Sequence, residues 1–234
     1  MKRIVFIMAV LFASSCAELQ QIADEAMQNQ NVLSNADIST GLKQALSQGV
    51  EDGVQNLAKE NGFLANDLVK IMLPEELTKL ENTLRRVGLG SLADEGVKML
   101  NRAAEDAVAE ATPVFLNAIQ NLTINDAKNI LMGTDVAATN YLKAQTQNEL
   151  YQRFQPIIEN SFTEVGADQV WANLINRYNQ IPLTQNVNPN LTDYVTQEAL
   201  KGVFVMVEIE EKQIRERIGM RKTELMKKVF ALQD

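Results

Sequence analysis

Apolar positions along this chain recur every three or four residues, and nowhere do they alternate with polar ones over the length of a strand. The first such run follows Ser34-Asn35-Ala36-Asp37. That tetrad is a capping box: the Ser hydroxyl accepts from an amide at the helix start, and the acid three residues on accepts the bond in return. Ile38, Leu42, Ala45, Leu46, Gly49, Val50 and Val54 then share one face, and Asn61-Gly62 is expected to close the helix through a left-handed glycine. Phe63, Leu64, Leu68, Ile71, Met72 and Leu73 form an apolar patch leading to Pro74.

Pro74-Glu75-Glu76 predicts a second start, with Pro in the first turn and acids at the positive end of the dipole. Leu77, Leu80, Leu84 and Val87 make its stripe, and Gly88 and Gly90 are expected to close it. Leu92, Leu100, Ala103, Ala104, Ala107, Val108 and Ala111 describe a helix with an Ala-rich face, suited to close approach of a neighbour. Pro113 is expected to kink or restart it, with Phe115, Ala118, Ile119 and Leu122 continuing the stripe. Thr123-Ile124-Asn125-Asp126 is a second capping box, opening a short helix that ends at Gly133. Residues 137–165 form a long pattern, bent near Pro156. Val170, Trp171, Leu174, Ile175 and Tyr178 make another stripe, and 180–190 is a loop. Residues 191–217 return to helix, and 221–232 close the chain as a short amphipathic helix. The expected fold is all-α: a single globular domain of about seven to nine helices over residues 34–234.

The start of the chain follows a different pattern. Lys2 and Arg3 precede ten apolar residues at 4–13, and small residues lead directly to Cys16. The apolar run is about half the length a membrane-spanning helix needs. Ala13-Ser14-Ser15-Cys16 is similar to a bacterial lipobox, in which the thiol takes a diacylglyceryl group before cleavage; Ala13 stands where leucine is usual. The alternative is an ordinary signal peptide with an incidental cysteine. The expectation is a signal peptide over 1–15, a lipidated polar tether over 16–33, and a lipoprotein anchored to a membrane of the bacterial envelope through Cys16. Ala17 after the cysteine favours the outer membrane over the inner. Cys16 is the only cysteine, so no disulfide can form within the chain.

Composition narrows the chemistry. Of 234 residues, 219 would remain from Cys16 onward, and losing two basic residues takes the net charge from −8 to −10. An acidic surface argues against nucleic acid. There is no histidine. That removes Ser-His-Asp and Cys-His catalysis, zinc sites of the usual kinds and carboxylate–histidine di-iron bundles. No glycine-rich phosphate loop, dinucleotide fingerprint or nucleophile elbow occurs, and neither a cofactor nor a metal is expected.

Two polar constellations stand out. Asn101, Arg102 and Glu105 share one side of the Ala-rich helix, and Tyr141 is a candidate partner for them. They form either a buried cluster at a ligand pocket or an interhelical ion-pair and hydrogen-bond network. Glu208, Glu210, Glu211, Arg215, Arg217 and Arg221 form the second, with Glu211 and Arg215 in the favourable i, i+4 order. A salt-bridge network over Glu208, Glu211, Arg215 and Arg221 is the expected reading, because neighbouring arginines oppose a divalent cation.

Several segments in order carry a resemblance. They are Asn101-Arg102-Ala103-Ala104-Glu105; Thr123 to Ala127 with Ile130, Leu131 and Gly133; and Ala137-Ala138-Thr139-Asn140-Tyr141. Tyr194-Val195-Thr196 with Ala199, Leu200, Gly202 and Phe204 follow, then Glu211, Ile214, Arg215, Arg221, Thr223, Val229 and Phe230. Over about residues 33–231 the chain resembles the bacterial domain of unknown function 4197 family. The resemblance implies a helical, exported, envelope-associated protein and no particular activity. Arg217-Ile218-Gly219-Met220 departs from the family's Pro-containing turn before Arg221.

The function expected is a non-enzymatic binding or structural module for a protein partner or an apolar ligand. A groove lined by Ala103, Ala107, Phe115 and Tyr141, with Arg102 at its rim, is the candidate site. The alternative is a hydrolase of cell-wall or glycan material using Glu105 and Glu211 as an acid/base pair, which requires glycosidase-like spacing and free carboxyl groups.

Overall fold

The structure, a computed structural model, describes residues 33–74, 78–86, 88, 90–164, 166–180 and 186–233. Every regular element among them is helical. They are α1 (Asn35–Ala58), α2 (Thr78–Arg86), α3 (Gly90–Val108), α4 (Ala111–Gln120), α5 (Ile124–Leu131), α6 (Ala137–Thr163), α7 (Ala167–Asn179), α8 (Leu191–Glu216) and α9 (Glu224–Phe230), with a 3₁₀ turn at Ile218–Met220.

The helix starts follow local chemistry. At both capping boxes the hydroxyl accepts from an amide at 3.1 Å, Asp37 N to Ser34 and Asp126 N to Thr123. Each acid in turn accepts from the cap's own amide, at 3.0 and 3.1 Å. The cap hydroxyls also donate to these carboxylates, at 2.6 and 2.7 Å, and that bond first, then the one from the cap amide, holds the Asp37 and Asp126 carboxyls below their ordinary range. Pro113 falls in the first turn of α4, where the missing N–H costs nothing, so the chain restarts there. Pro156 lies inside the continuous α6.

Two of the expected helix ends fall elsewhere. The left-handed residue after α1 is Asn61, at φ 62°, and not Gly62. Asparagine tolerates that conformation, and a Cβ on Gly62 would meet the Leu57 carbonyl at 2.3 Å. Gly88 takes the positive φ after α2, whereas Gly90 opens α3. Residues 75–77, Val87 and the side chains of Leu80, Leu84, Leu174 and Tyr178 lie outside what the structure describes, as do the signal segment and the tether as far as residue 32.

α8 is the centre of the domain. It packs most extensively on α6 and α1, and also on α3 and α7. Val195, Ala199, Val203 and Val207 are buried along it. Phe204 meets Phe115 edge to face at 5.9 Å between ring centres. Gly202 lets Phe63 approach, because a Cβ there would stand 2.6 Å from the ring. The alanines of α3 have the same use: Ala103, Ala104 and Ala107 are fully buried, so α3 reaches α6, α1 and α8 closely.

Candidate functional site

Glu105 and Asn101 sit one turn apart on the buried side of α3 and hold the irregular stretch after α1. The Glu105 carboxylate accepts from the amides of Asn61 (3.2 Å), Phe63 (3.1 Å) and Leu64 (3.3 Å). The Asn101 side chain pairs with Ile71 in both directions, accepting from its N–H and donating to its C=O at 2.8 Å each, and also donates to the Val97 carbonyl at 2.7 Å. An irregular segment leaves backbone groups without ladder partners, and burial makes them costly unless side chains supply the bonds. Arg102 adds a 3.3 Å contact to Glu105 from a half-exposed position.

Glu211 and Arg215 do the same work on α8. α6 has no side-chain cap of its own at Val136. Glu211 substitutes for it, accepting from the amides of Ala138 (3.0 Å) and Thr139 (2.8 Å) and from the Thr139 hydroxyl (2.8 Å). A carboxylate at a helix N-terminus is favoured by the free N–H groups and the dipole together. Arg215 pairs with Glu211 at 2.8 Å, with both side chains about 95% buried, and donates onward to the Leu131 and Ile130 carbonyls at the end of α5. One ion pair therefore joins the negative end of α5 to the positive end of α6. Arg221 repeats the device at the end of α8, donating to the Ile214 (3.1 Å) and Arg215 (2.7 Å) carbonyls, with its guanidinium over the Phe230 ring.

Glu210, one residue from Glu211, is differently placed. It is equally buried, and its Oε2 has no hydrogen-bond partner. It lies against Gly49 and Gly53 of α1. Burial raises its pKa above the ordinary carboxylate value, and the Asp52 charge adds to this, while Lys222 acts in the opposite sense. Gln48 on α1 also keeps an unpartnered buried Oε1, although its amide donates to the Met220 carbonyl at 2.9 Å.

Open space lies elsewhere. A cleft of about 470 Å³ runs between α6 and α8, lined by Thr139, Asn140, Lys143 and Gln147 on one side and Gln197, Leu200, Lys201, Phe204, Val205 and Glu208 on the other. The Lys143 ammonium sits 5.9 Å above the Phe204 ring. A second cleft of about 560 Å³ borders α1, with Thr40, Gln44, Gln48, Ile119 and Lys222 among its walls. The apolar cavity beside Glu211 and Arg215 holds only about 20 Å³, room for one water.

The residues singled out from the sequence are thus divided among separate tasks. Asn101, Arg102 and Glu105 are together, but among the described residues no hydrogen bond joins Tyr141 to them. Burial first, then the Asp126 charge, raises the Tyr141 pKa. Glu208 pairs with Lys212 at 2.6 Å, apart from the Glu211–Arg215 pair. Ala103, Ala107 and Phe115 are packed into the core, and neither cleft is lined by them. Glu105 and Glu211 each have their carboxylate filled by backbone amides and an arginine, which leaves neither free to act as acid or base. Cys16 lies outside the described residues. The cleft residues Lys143 and Lys201 gave no sequence signal, because a lysine on a helix looks the same whether its face is solvated or lines a cleft.

Among the described residues, no group of three or more Asp, Glu, His or Cys is placed to hold a metal ion. No helix among them is long and apolar enough to cross a membrane. No curated protein and no solved structure matches the chain. Residues 32–231 match the family described as protein of unknown function (DUF4197), and the chain belongs to that family.

Proposed function

We propose that this member of the family is an exported lipoprotein, anchored through Cys16, whose helical domain is a non-enzymatic binding module for a protein partner. The observation that carries the reading is the use made of the buried charges. Glu105, Glu211, Arg215 and Arg221 spend their hydrogen bonds on the chain's own backbone, while the open surface is a mixed cleft of lysines, amides and one aromatic face. Interfaces that form and dissociate in water have that mixture. A water-sized apolar cavity disfavours an enclosed lipid or fatty acid.

The test is site-specific photo-crosslinking in intact cells. A photoreactive residue at Gln147, inside the α6–α8 cleft, is expected to capture a discrete protein. The same residue at the exposed Val170 is expected to capture none, and Lys143→Glu with Lys201→Glu is expected to abolish capture. Equal capture at both positions, or capture indifferent to the two lysines, contradicts the reading. Metabolic labelling with an alkynyl fatty acid tests the anchor: the parent chain labels and Cys16→Ser does not.

A further inference from the structure

Exposed apolar side chains stand at both ends of α8. The helix has 26 residues, so it is about 39 Å long at 1.5 Å per residue. Near its N-terminus the Tyr194 hydroxyl donates to the Met72 carbonyl, and Met72 and Leu68 face solvent, Leu68 with 70% of its surface open. Near its C-terminus Arg215 and the Gln233 side-chain amide both donate to the Leu131 carbonyl. Met132 and Leu232, each the chain neighbour of a residue in that junction, are 68% and 50% exposed. Tyr194 and Arg215 are 21 positions apart, about 30 Å along the helix.

The two ends differ in where the chain enters. α1 runs antiparallel to α8, with Gly49 against Glu210 and Ile214, and Gly53 against Met206. Its start at Asn35 therefore projects past the C-terminal end of α8. α9 runs back along α1: Thr223 bonds Gln44, and Val229 lies on Gly41. Leu232 emerges beside the point of entry. Lys128 and Lys228 lie four positions before Met132 and Leu232, one helical turn from each. Only 16 residues, 17–32, separate Cys16 from Leu33. Sixteen residues span about 20–25 Å end to end as a random coil and at most about 55 Å fully extended. An anchor so close holds this end at an effective concentration near millimolar to the bilayer, so a weak contact suffices.

We propose that this end of the domain faces the lipid surface. Met132 and Leu232 insert among the headgroups of the membrane that holds Cys16, Lys128 and Lys228 reach the phosphates, and Leu68 and Met72 point away. The contact is led by the apolar pair, because the acidic chain as a whole is not drawn to anionic lipid. The proposal rests on the anchored reading above, and the experiment separates the two.

With Cys16 acylated, a single introduced cysteine is the only free thiol. Full-length acylated protein carrying Met132→Cys, Leu232→Cys or Leu68→Cys is labelled with an environment-sensitive fluorophore. It is then reconstituted into phosphatidylethanolamine–phosphatidylglycerol vesicles with and without brominated acyl chains. Labels at 132 and 232 are expected to shift to the blue and lose about threefold in emission to the brominated lipid, as groups 5–10 Å into the interface do, while the label at 68 does neither. Equal quenching at 68 and 132, quenching at 68 alone, or none at 132 and 232 overturns the proposal. A blue shift that persists without lipid, with self-quenching between copies, assigns the pair to a contact between two chains and also overturns it. Mass analysis of the N-terminal peptide reads the anchor separately. If acylation is absent the anchored reading fails, and the labelled Cys16→Ser protein is added to the same vesicles at millimolar lipid. Quenching at 132 then sustains the surface, and its absence ends it.

Discussion

Glu210 and Glu211 are adjacent on α8 and equally buried, yet they belong to two regions with opposite chemistry. Glu211 faces the start of α6 and the end of α5, where helix termini leave N–H and C=O groups free. Glu210 faces the middle of α1, where every amide is already bonded within the helix and Gly49 and Gly53 bring that backbone close. One carboxylate is therefore filled with donors, and the other keeps an oxygen without any. Burial alone does not mark a carboxylate as functional; the free donors of the element packed against it decide what it does.

Arg215→Ala should produce the largest effect on this contrast. It leaves the buried Glu211 charge without its counter-ion and takes one donor from each of two helix-end carbonyls, at a cost of about 3–5 kcal/mol, the scale for breaking a buried pair from one side. Urea unfolding measures it. The same logic extends to α3: Asn101→Ala leaves both backbone groups of Ile71 unpaired and should cost about 1–3 kcal/mol by the same measurement. Thr139→Val removes one neutral donor from Glu211 and leaves its amides in place, so a loss of about 0.5–1.5 kcal/mol is expected.

Glu210→Gln should have the smallest effect, and its sign changes the comparison. The folded-state pKa of Glu210 is raised, so its contribution is fully present below the ordinary value of 4.5 and is lost as pH rises through the folded value. Relative to the parent, the Gln variant should gain stability as pH rises above 4.5. Unfolding midpoints at pH 4.5 and pH 7.5 read this, and a variant that loses ground with rising pH would show that Glu210 is paired after all.

The parts of this arrangement that were legible in the sequence are those that close within a few residues. Ser34 with Asp37 and Thr123 with Asp126 are i, i+3 devices, and Glu211 with Arg215 is an i, i+4 pair, so spacing alone identifies them. Pro113 opens α4 for a reason contained in one residue. The loop amides and carbonyl that Asn101 and Glu105 hold lie 30 to 44 residues away, and those of Glu211 at Ala138 and Thr139 lie 73 and 72 residues away. No periodicity encodes such distances, so spacing shows the Glu211–Arg215 pair but not the separate pieces of backbone that Asn101, Glu105, Glu211 and Arg215 hold. The loop after α1 misled for a related reason. Asn61 and Gly62 both suit a left-handed position; Asn61 takes it, while Gly62 is needed because the Leu57 carbonyl leaves no room for a side chain there.

On this reading the buried Glu211–Arg215 pair of α8 is a joint of the fold and not a site. A double-mutant cycle on Glu211→Ala and Arg215→Ala, followed by urea unfolding of the full chain, tests it most directly. Each single change is expected to cost about 3–5 kcal/mol, and the double change clearly less than the sum, because removing both charges leaves neither stranded. Single variants that stay within about 0.5 kcal/mol of the parent would contradict it and return Glu211 to the list of catalytic candidates.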